Sequence, residues 1–136
     1  MADVSGVWLG TYWQYGSPTR FEMTLVQGKN TLSGNVLDDS SLGEANVTGE
    51  ISGRTVTFRK CYLSGSRHCI DYFGTVSSDE KLMTGQWQEG VFNQGKWEAH
   101  RQDDNLTLSL EKIKSSHLQT VSETKFTGLV FSIILI

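Results

Sequence analysis

Proline is almost missing from this chain: Pro18 is the one example in 136 residues. Proline removes a ladder donor and is confined in sheets to edges, first residues and bulges, so its scarcity leaves long stretches free to pair as strands. An excess of one charge is missing too. Twelve Lys and Arg stand against 15 Asp and Glu, a net −3. The basic residues form no run, which argues against binding nucleic acid through a phosphate footprint. No apolar run reaches the roughly 20 residues of a bilayer-spanning helix; the most apolar stretch, Phe126 to Ile136, is too short. Catalytic signatures are lacking as well. There is no G-x-S-x-G elbow, phosphate loop, H-E-x-x-H or dinucleotide fingerprint. The acid pairs Asp38-Asp39 and Asp103-Asp104 fall where loops are expected. The chain is therefore expected not to be an enzyme and to need no cofactor. His68 beside Cys69 adds ligand types but no complete metal set, and His100 and His117 have no evident partners. Met1 to Gly6 lacks the charged start and apolar stretch of a signal peptide, so a cytoplasmic location is expected. In a reducing compartment the simpler reading of Cys61 and Cys69 is two free thiols.

What is present is glycine, 14 residues of it, in a repeated setting. An apolar residue, any residue, glycine, any residue and another apolar residue recur at Trp8-Gly10-Tyr12, Leu32-Gly34-Val36, Val47-Gly49-Ile51, Tyr72-Gly74-Val76 and Met83-Gly85-Trp87. A sixth copy, Asn93-Gly95-Trp97, loses its first apolar member. Spacing by two places each trio on one face of a strand. A glycine midway along an apolar face marks tight curvature or close approach, and several strands built this way predict a sheet bent until it closes.

Eight strands are predicted: Gly6–Gln14, Arg20–Gln27, Thr31–Asp38, Ala45–Ser52, Thr55–Tyr62, Cys69–Ser77, Leu82–Gln88 and Gly95–Arg101. Every connection is short, as a meander requires. With the glycine face inward, Leu25 should oppose Leu32 across a Gly28-Lys29 turn. Ile51 should oppose Val56 across Gly53-Arg54. Both turns would carry glycine first, as a type II′ hairpin prefers. The fold expected is all-β, an eight-stranded antiparallel up-and-down barrel over residues 1–102. Residues 103–136 would form an extension. In it, Leu106, Leu108 and Leu110 suggest an added strand, 115–125 a polar linker, and 126–136 an apolar tail. Trp13 and Phe73 face outward and could mark a subunit contact in a homo-oligomer.

Gly6-Val7-Trp8 at the head of the first strand, with Arg101 closing the last, resembles the signature of the calycin group of lipocalins, fatty-acid-binding proteins and avidins. In those barrels the early Trp plugs one end and a late basic residue lies across it, as a guanidinium on an indole face can. The phrases Phe58-Arg-Lys60-Cys-Tyr62, Tyr72-Phe-Gly74, Gly85-Gln-Trp87 and Gly95-Lys-Trp97 are similar to those of small avidin-like or lipocalin-like bacterial proteins. The likeness spans residues 6–101 and implies a fold. The Asn and Ser with which avidins hold biotin are replaced here by Leu9-Gly10-Thr11-Tyr12, so biotin binding is not implied. No lipocalin C-terminal helix is evident.

An eight-stranded barrel is either filled by side chains or holds one small ligand, and the sequence is compatible with both. Lys60 shares parity with Val56, Phe58 and Tyr62 and so points inward, where an unpaired ammonium is costly. Either it snorkels to water at the mouth, or with Tyr62 and Tyr72 it holds an anionic or carbonyl-bearing ligand. Asp38 has the parity to meet it. The same parity puts Cys61 opposite Cys69, where a cross-strand disulfide could form. The leading functional expectation is a non-enzymatic binding protein with a small lipophilic or aromatic molecule in the barrel mouth, contacted by Tyr12, Lys60, Tyr62, Tyr72 and Trp87. The alternative is a filled barrel serving as a structural, interaction or oligomerisation module.

Overall fold

The computed structural model describes residues 1–65 and 68–102. Eight antiparallel strands close into an up-and-down barrel in chain order. They are β1 Gly6–Gln14, β2 Ser17–Gly28, β3 Thr31–Asp38, β4 Glu44–Ser52, β5 Thr55–Tyr62, β6 Cys69–Val76, β7 Leu82–Glu89 and β8 Asn93–Arg101. β8 returns to β1, with Trp8 opposite Arg101 and Tyr12 opposite Trp97. The added strand, linker and apolar tail expected beyond residue 102 lie outside the described residues.

The inward face is the predicted one. Trp8, Met23, Leu25, Val36, Val47, Ile51, Val56, Phe58, Tyr72, Met83, Trp87 and Trp97 are all buried. Closure places large and absent side chains opposite one another. Gly10 faces Phe21, Gly49 faces Phe58, Gly85 faces Trp97 and Gly95 faces Trp87. The rings occupy the volume the glycines leave. A Cβ on Gly10 would sit 2.3 Å from the Phe21 ring, one on Gly74 2.6 Å from Trp97, and one on Gly95 2.6 Å from Trp87. The walls also approach closely: a Cβ on Gly34 would lie 1.9 Å from Thr24 O and one on Gly85 1.8 Å from Phe73 O. Aromatic cover over a glycine kink is a known way to pin register in a curved sheet.

One hairpin follows prediction and one is corrected. Ile51 opposes Val56 around Gly53-Arg54, with Gly53 at φ 61°, a conformation that costs glycine little. Leu25, however, opposes Gly34 instead of Leu32, and Gln27 takes Leu32. β2 runs one residue further, and the turn is Lys29-Asn30. Gln27 explains the extension. Its side chain accepts from Val4 N at 2.9 Å and donates to Ala2 O at 3.1 Å and Lys29 O at 2.9 Å, so the extra residue ties the N-terminal segment to the barrel. The register slips by two, and a slip of two leaves the buried face unchanged.

That segment plugs the barrel. Val4 and Ala2 are buried, and Trp8 Nε1 donates to Val4 O at 2.9 Å. The Arg101 guanidinium lies 4.7 Å from the Trp8 ring centre. It donates to Ser5 O at 2.6 Å, to Glu80 O at 2.8 Å and to Asp3 O. This latched end carries polar turns at Lys29-Asn30, Gly53-Arg54 and Ser77–Lys81. The four hairpin tips of the far end expose Tyr15, Leu42, Leu63, Val91 and Phe92.

The cysteines are joined, not free: Cys61 and Cys69 form a disulfide, with Cα atoms 4.0 Å apart. They are directly paired across β5 and β6. Tyr62 N donates to His68 O beside them, which makes the cysteine pair a non-hydrogen-bonded one, where opposed side chains come closest.

Gly85→Ala is expected to destabilise the barrel by about 2–4 kcal/mol, because backbone must move to admit the methyl group. Gly28→Ala, whose Cβ would meet only the Thr31 hydroxyl at 3.3 Å, should stay within about 0.5 kcal/mol of the parent. Denaturant titration of both variants checks the pair. Equal stabilities would break the link between inward glycines and curvature.

Candidate functional site

Near the far end, four strands deliver polar groups into an otherwise apolar interior. Tyr12 comes from the closing residues of β1, Asp38 from the end of β3, Lys60 and Tyr62 from the end of β5, and Tyr72 from β6. Strand alternation turns each inward, and the up-and-down order brings the ends of β1, β3 and β5 to the same level.

Lys60 is 1 % exposed and Asp38 5 %. Lys60 Nζ lies 3.0 and 3.1 Å from the two Asp38 oxygens and 3.3 Å from the Tyr72 hydroxyl. Asp38 Oδ2 also accepts from Tyr12 OH at 3.0 Å and from Tyr62 OH. The ammonium sits 4.6 Å from the Tyr12 ring centre, 4.8 Å from Tyr62 and 5.5 Å from Tyr72, distances at which ring faces attract a cation. Among the described residues no buried side-chain nitrogen or oxygen lacks a hydrogen-bond partner. The expectation that Lys60 snorkels to water is therefore corrected: Asp38 neutralises it inside, and the charge need not reach solvent.

Burial shifts the amine and the three phenols against their charged forms. It holds the Lys60 amine below the usual lysine value, partly offset by the Asp38 charge. It raises the Tyr72 phenol well above its ordinary value, with the Asp38 charge adding to the shift. Tyr62 and Tyr12 are raised by burial too, and the hydrogen bond from Tyr62 to Asp38 raises Tyr62 further.

The structure brings four of the five predicted residues together: Tyr12, Lys60, Tyr62 and Tyr72. Trp87 stands beside them, edge-on to Tyr12 at 6.3 Å, with Nε1 donating to Trp13 O at 3.0 Å. Asp38, absent from that set of five, is the hub, and its parity with Val36 and Gly34 was the signal for it. Phe58 is stacked on Tyr72 at 5.0 Å and met edge-on by Trp97 at 5.6 Å, extending the aromatic wall downward. The space among Phe21, Met23, Val36, Phe58, Lys60 and Tyr72 is too narrow for a water molecule, so this part of the interior is filled. Tyr12 alone of the cluster is reached by solvent. A concavity of about 800 Å³ lies on the outer wall, lined by Trp13, Tyr15, Thr84, Gln94, Lys96 and Glu98 among others.

No family model and no curated protein matches the sequence. Solved structures do match in fold. A redesigned β-barrel, b11L5F_LGL, superposes with a TM-score of 0.62 at 16% identity, over 74% of this chain and 92% of that one. A fluorescence-activating β-barrel of de novo design gives 0.57 at 17% identity, over 75% and 100%. EF1p2_mFAP2b bound to DFHBI gives 0.59 at 15% identity, over 73% and 94%. At such identities the likeness is one of architecture: a closed eight-stranded antiparallel barrel.

Two outcomes test the cluster. Lys60→Met leaves Asp38 buried without its cation and should cost about 3–5 kcal/mol, while Lys60→Met with Asp38→Leu should recover most of that. A double-mutant cycle by chemical denaturation checks the coupling; additive losses would mean the pair is not a unit. The second outcome is alkaline. Phenols raised in the folded state contribute stability that is complete below the unfolded tyrosine value of about 10 and is lost as pH climbs above it. Lys60, lowered when folded, adds stability as pH rises toward lysine's ordinary value of about 10.4. Stability should therefore hold or rise toward pH of about 10 and then fall. The phenolate absorbance of Tyr12, Tyr62 and Tyr72 should appear only together with loss of near-ultraviolet circular dichroism. Reversible ionisation of these phenols in an intact barrel would contradict the geometry.

Proposed function

We propose that the chain is a non-enzymatic binding protein that takes a small aromatic or lipophilic molecule, carrying a carbonyl or acid group, into the far end of the barrel. One observation carries this reading. A buried amine, carboxylate and three phenols lie beneath the end whose hairpin tips expose Tyr15, Leu63, Val91 and Phe92. A buried ion pair is seldom worth its desolvation as a source of stability, and perturbed groups concentrated at one end of a fold mark sites more often than chance. The apolar rim suits the body of the ligand and Lys60 its polar head. The ligand seats by displacing Tyr12, since the space beside Lys60 has no room for it. That barrels of this architecture hold ligands is consistent with the neighbour bound to DFHBI. The Trp8 and Arg101 latch supports a calycin-like ancestry for the same reading. The Cys61–Cys69 bridge fits an oxidising compartment better than a cytoplasmic location.

The filled interior favours a second reading, an interaction module that uses its outer wall. The groove beside Trp13 and the exposed Phe73 ring are the surfaces a second copy would cover.

Tryptophan fluorescence titrated with fatty acids, flavonoids, tetrapyrroles and aromatic carboxylates should show saturable quenching by at least one class. Lys60→Met should weaken that binding at least about tenfold, the loss of one charged hydrogen bond. Absence of saturable quenching by every class would sink the pocket. If the protein sediments as a dimer that Trp13→Ala converts to monomer, the second reading replaces it.

A further inference from the structure

The cluster contains more than a binding site needs. A cation that only attracts an anion works best wet and accessible at a rim. Lys60 instead is dry, and proton donors surround it on several sides. The geometry points to Lys60 as a nucleophile that captures small aromatic aldehydes as an imine, an inference that rests on the binding reading above and names its ligand class.

Three features support it. The first is selectivity among lysines. Lys29, Lys81 and Lys96 are solvent-exposed while Lys60 is buried. An ammonium in water stays protonated near neutral pH, whereas burial favours the neutral amine that attacks a carbonyl. The second is the supply of protons. Tyr72 OH lies 3.3 Å from Nζ, and Asp38, at 3.0 Å, ties Nζ to the Tyr12 and Tyr62 hydroxyls. The third is shape. The Tyr12 and Tyr62 ring centres stand 4.6 and 4.8 Å from Nζ, so a flat ring attached to the carbonyl meets π faces on arrival.

The step balances without any redox partner. Lys60 first gives up its ammonium proton to solvent by way of Asp38 and the partly exposed Tyr12. The nitrogen lone pair then forms a bond to the carbonyl carbon as the C=O π electrons move to oxygen. A phenol protonates that oxygen, and the nitrogen loses its extra proton, giving a carbinolamine. The proton released by nitrogen, held on Asp38, protonates the hydroxyl, and loss of water forms the C=N bond as an iminium, whose N–H proton passes to the phenolate and restores the phenol. One aldehyde and one amine become one imine and one water. A site without bulk water slows the reverse hydrolysis. Tyr12 must swing outward to admit the aldehyde, so it acts as the gate.

The full chain is incubated with benzaldehyde and cyanoborohydride near neutral pH. Cyanoborohydride reduces the imine to a stable secondary amine, and the modified lysines are mapped by peptide mass spectrometry. Labelling at Lys60 is expected to run at least about tenfold faster than at Lys29 or Lys96. Lys60→Arg should lose the site. Tyr12→Ala should speed labelling at Lys60, and Tyr12→Phe, which keeps the ring against Phe21, should not. Circular dichroism confirms that each variant is folded. Labelling confined to exposed lysines in the native chain and in folded Tyr12→Ala would overturn the proposal. Benzoate, which cannot form an imine, separates the two ideas. Quenching by benzoate without labelling at Lys60 removes imine formation and leaves the binding reading, while neither signal removes both.

Discussion

Curvature is the constraint on which the structure depends. An eight-stranded sheet closes only if its walls bend sharply, and here the bending is done by inward glycines at positions where a methyl group would strike the neighbouring strand. Gly34 and Gly85 are the tightest, with Thr24 O and Phe73 O within 2 Å of a hypothetical Cβ. Removing side chains for curvature would leave voids costly to stability. Neighbouring rings supply the missing volume: Phe21 over Gly10, Phe58 beside Gly49, Trp87 over Gly95 and Trp97, two strands away, over Gly74. Curvature and packing are thus one device, and neither residue of a pair can change alone.

The filled interior follows from it. Rings that cover glycines take up the central space, and what is left near the far end goes to Lys60, Asp38 and three tyrosines. These are the residues that break the apolar rule of the core, and they break it together. Each satisfies another: the amine by carboxylate, phenol and ring faces, the carboxylate by two phenols and the amine. Such a network is cooperative, so its members should respond to mutation as a group.

Much of this was legible in the sequence because side-chain parity is conserved by every error of two. The face of each strand, the barrel order, the opposition of Cys61 to Cys69 and the gathering of Tyr12, Lys60, Tyr62 and Tyr72 all follow from it. Parity could not choose between Leu32 and Gly34 as the partner of Leu25, since both lie on the same face; a hydrogen-bonding role for Gln27 decided it. Nor could parity say whether Lys60 reaches water, because that depends on where Asp38 and Tyr12 sit along the barrel axis, which pairing register fixes only after all strands are joined. The oxidation of the cysteines was missed for a different reason. The expectation weighed the compartment, while the outcome turns on a Cα separation of 4.0 Å.

Closure has a further consequence for how this molecule can meet others. With β8 hydrogen-bonded to β1, no strand of the cylinder offers an unpaired backbone edge. A partner therefore has no free edge on which to extend the sheet or template a fibril along the wall. Leu9, Val26, Leu37 and Phe73 on the outside, and Tyr15, Leu42, Leu63, Val91 and Phe92 at the tips, are therefore among the apolar features available to a neighbour on the barrel itself. Association there must be written in side-chain shape, where single substitutions can erase it.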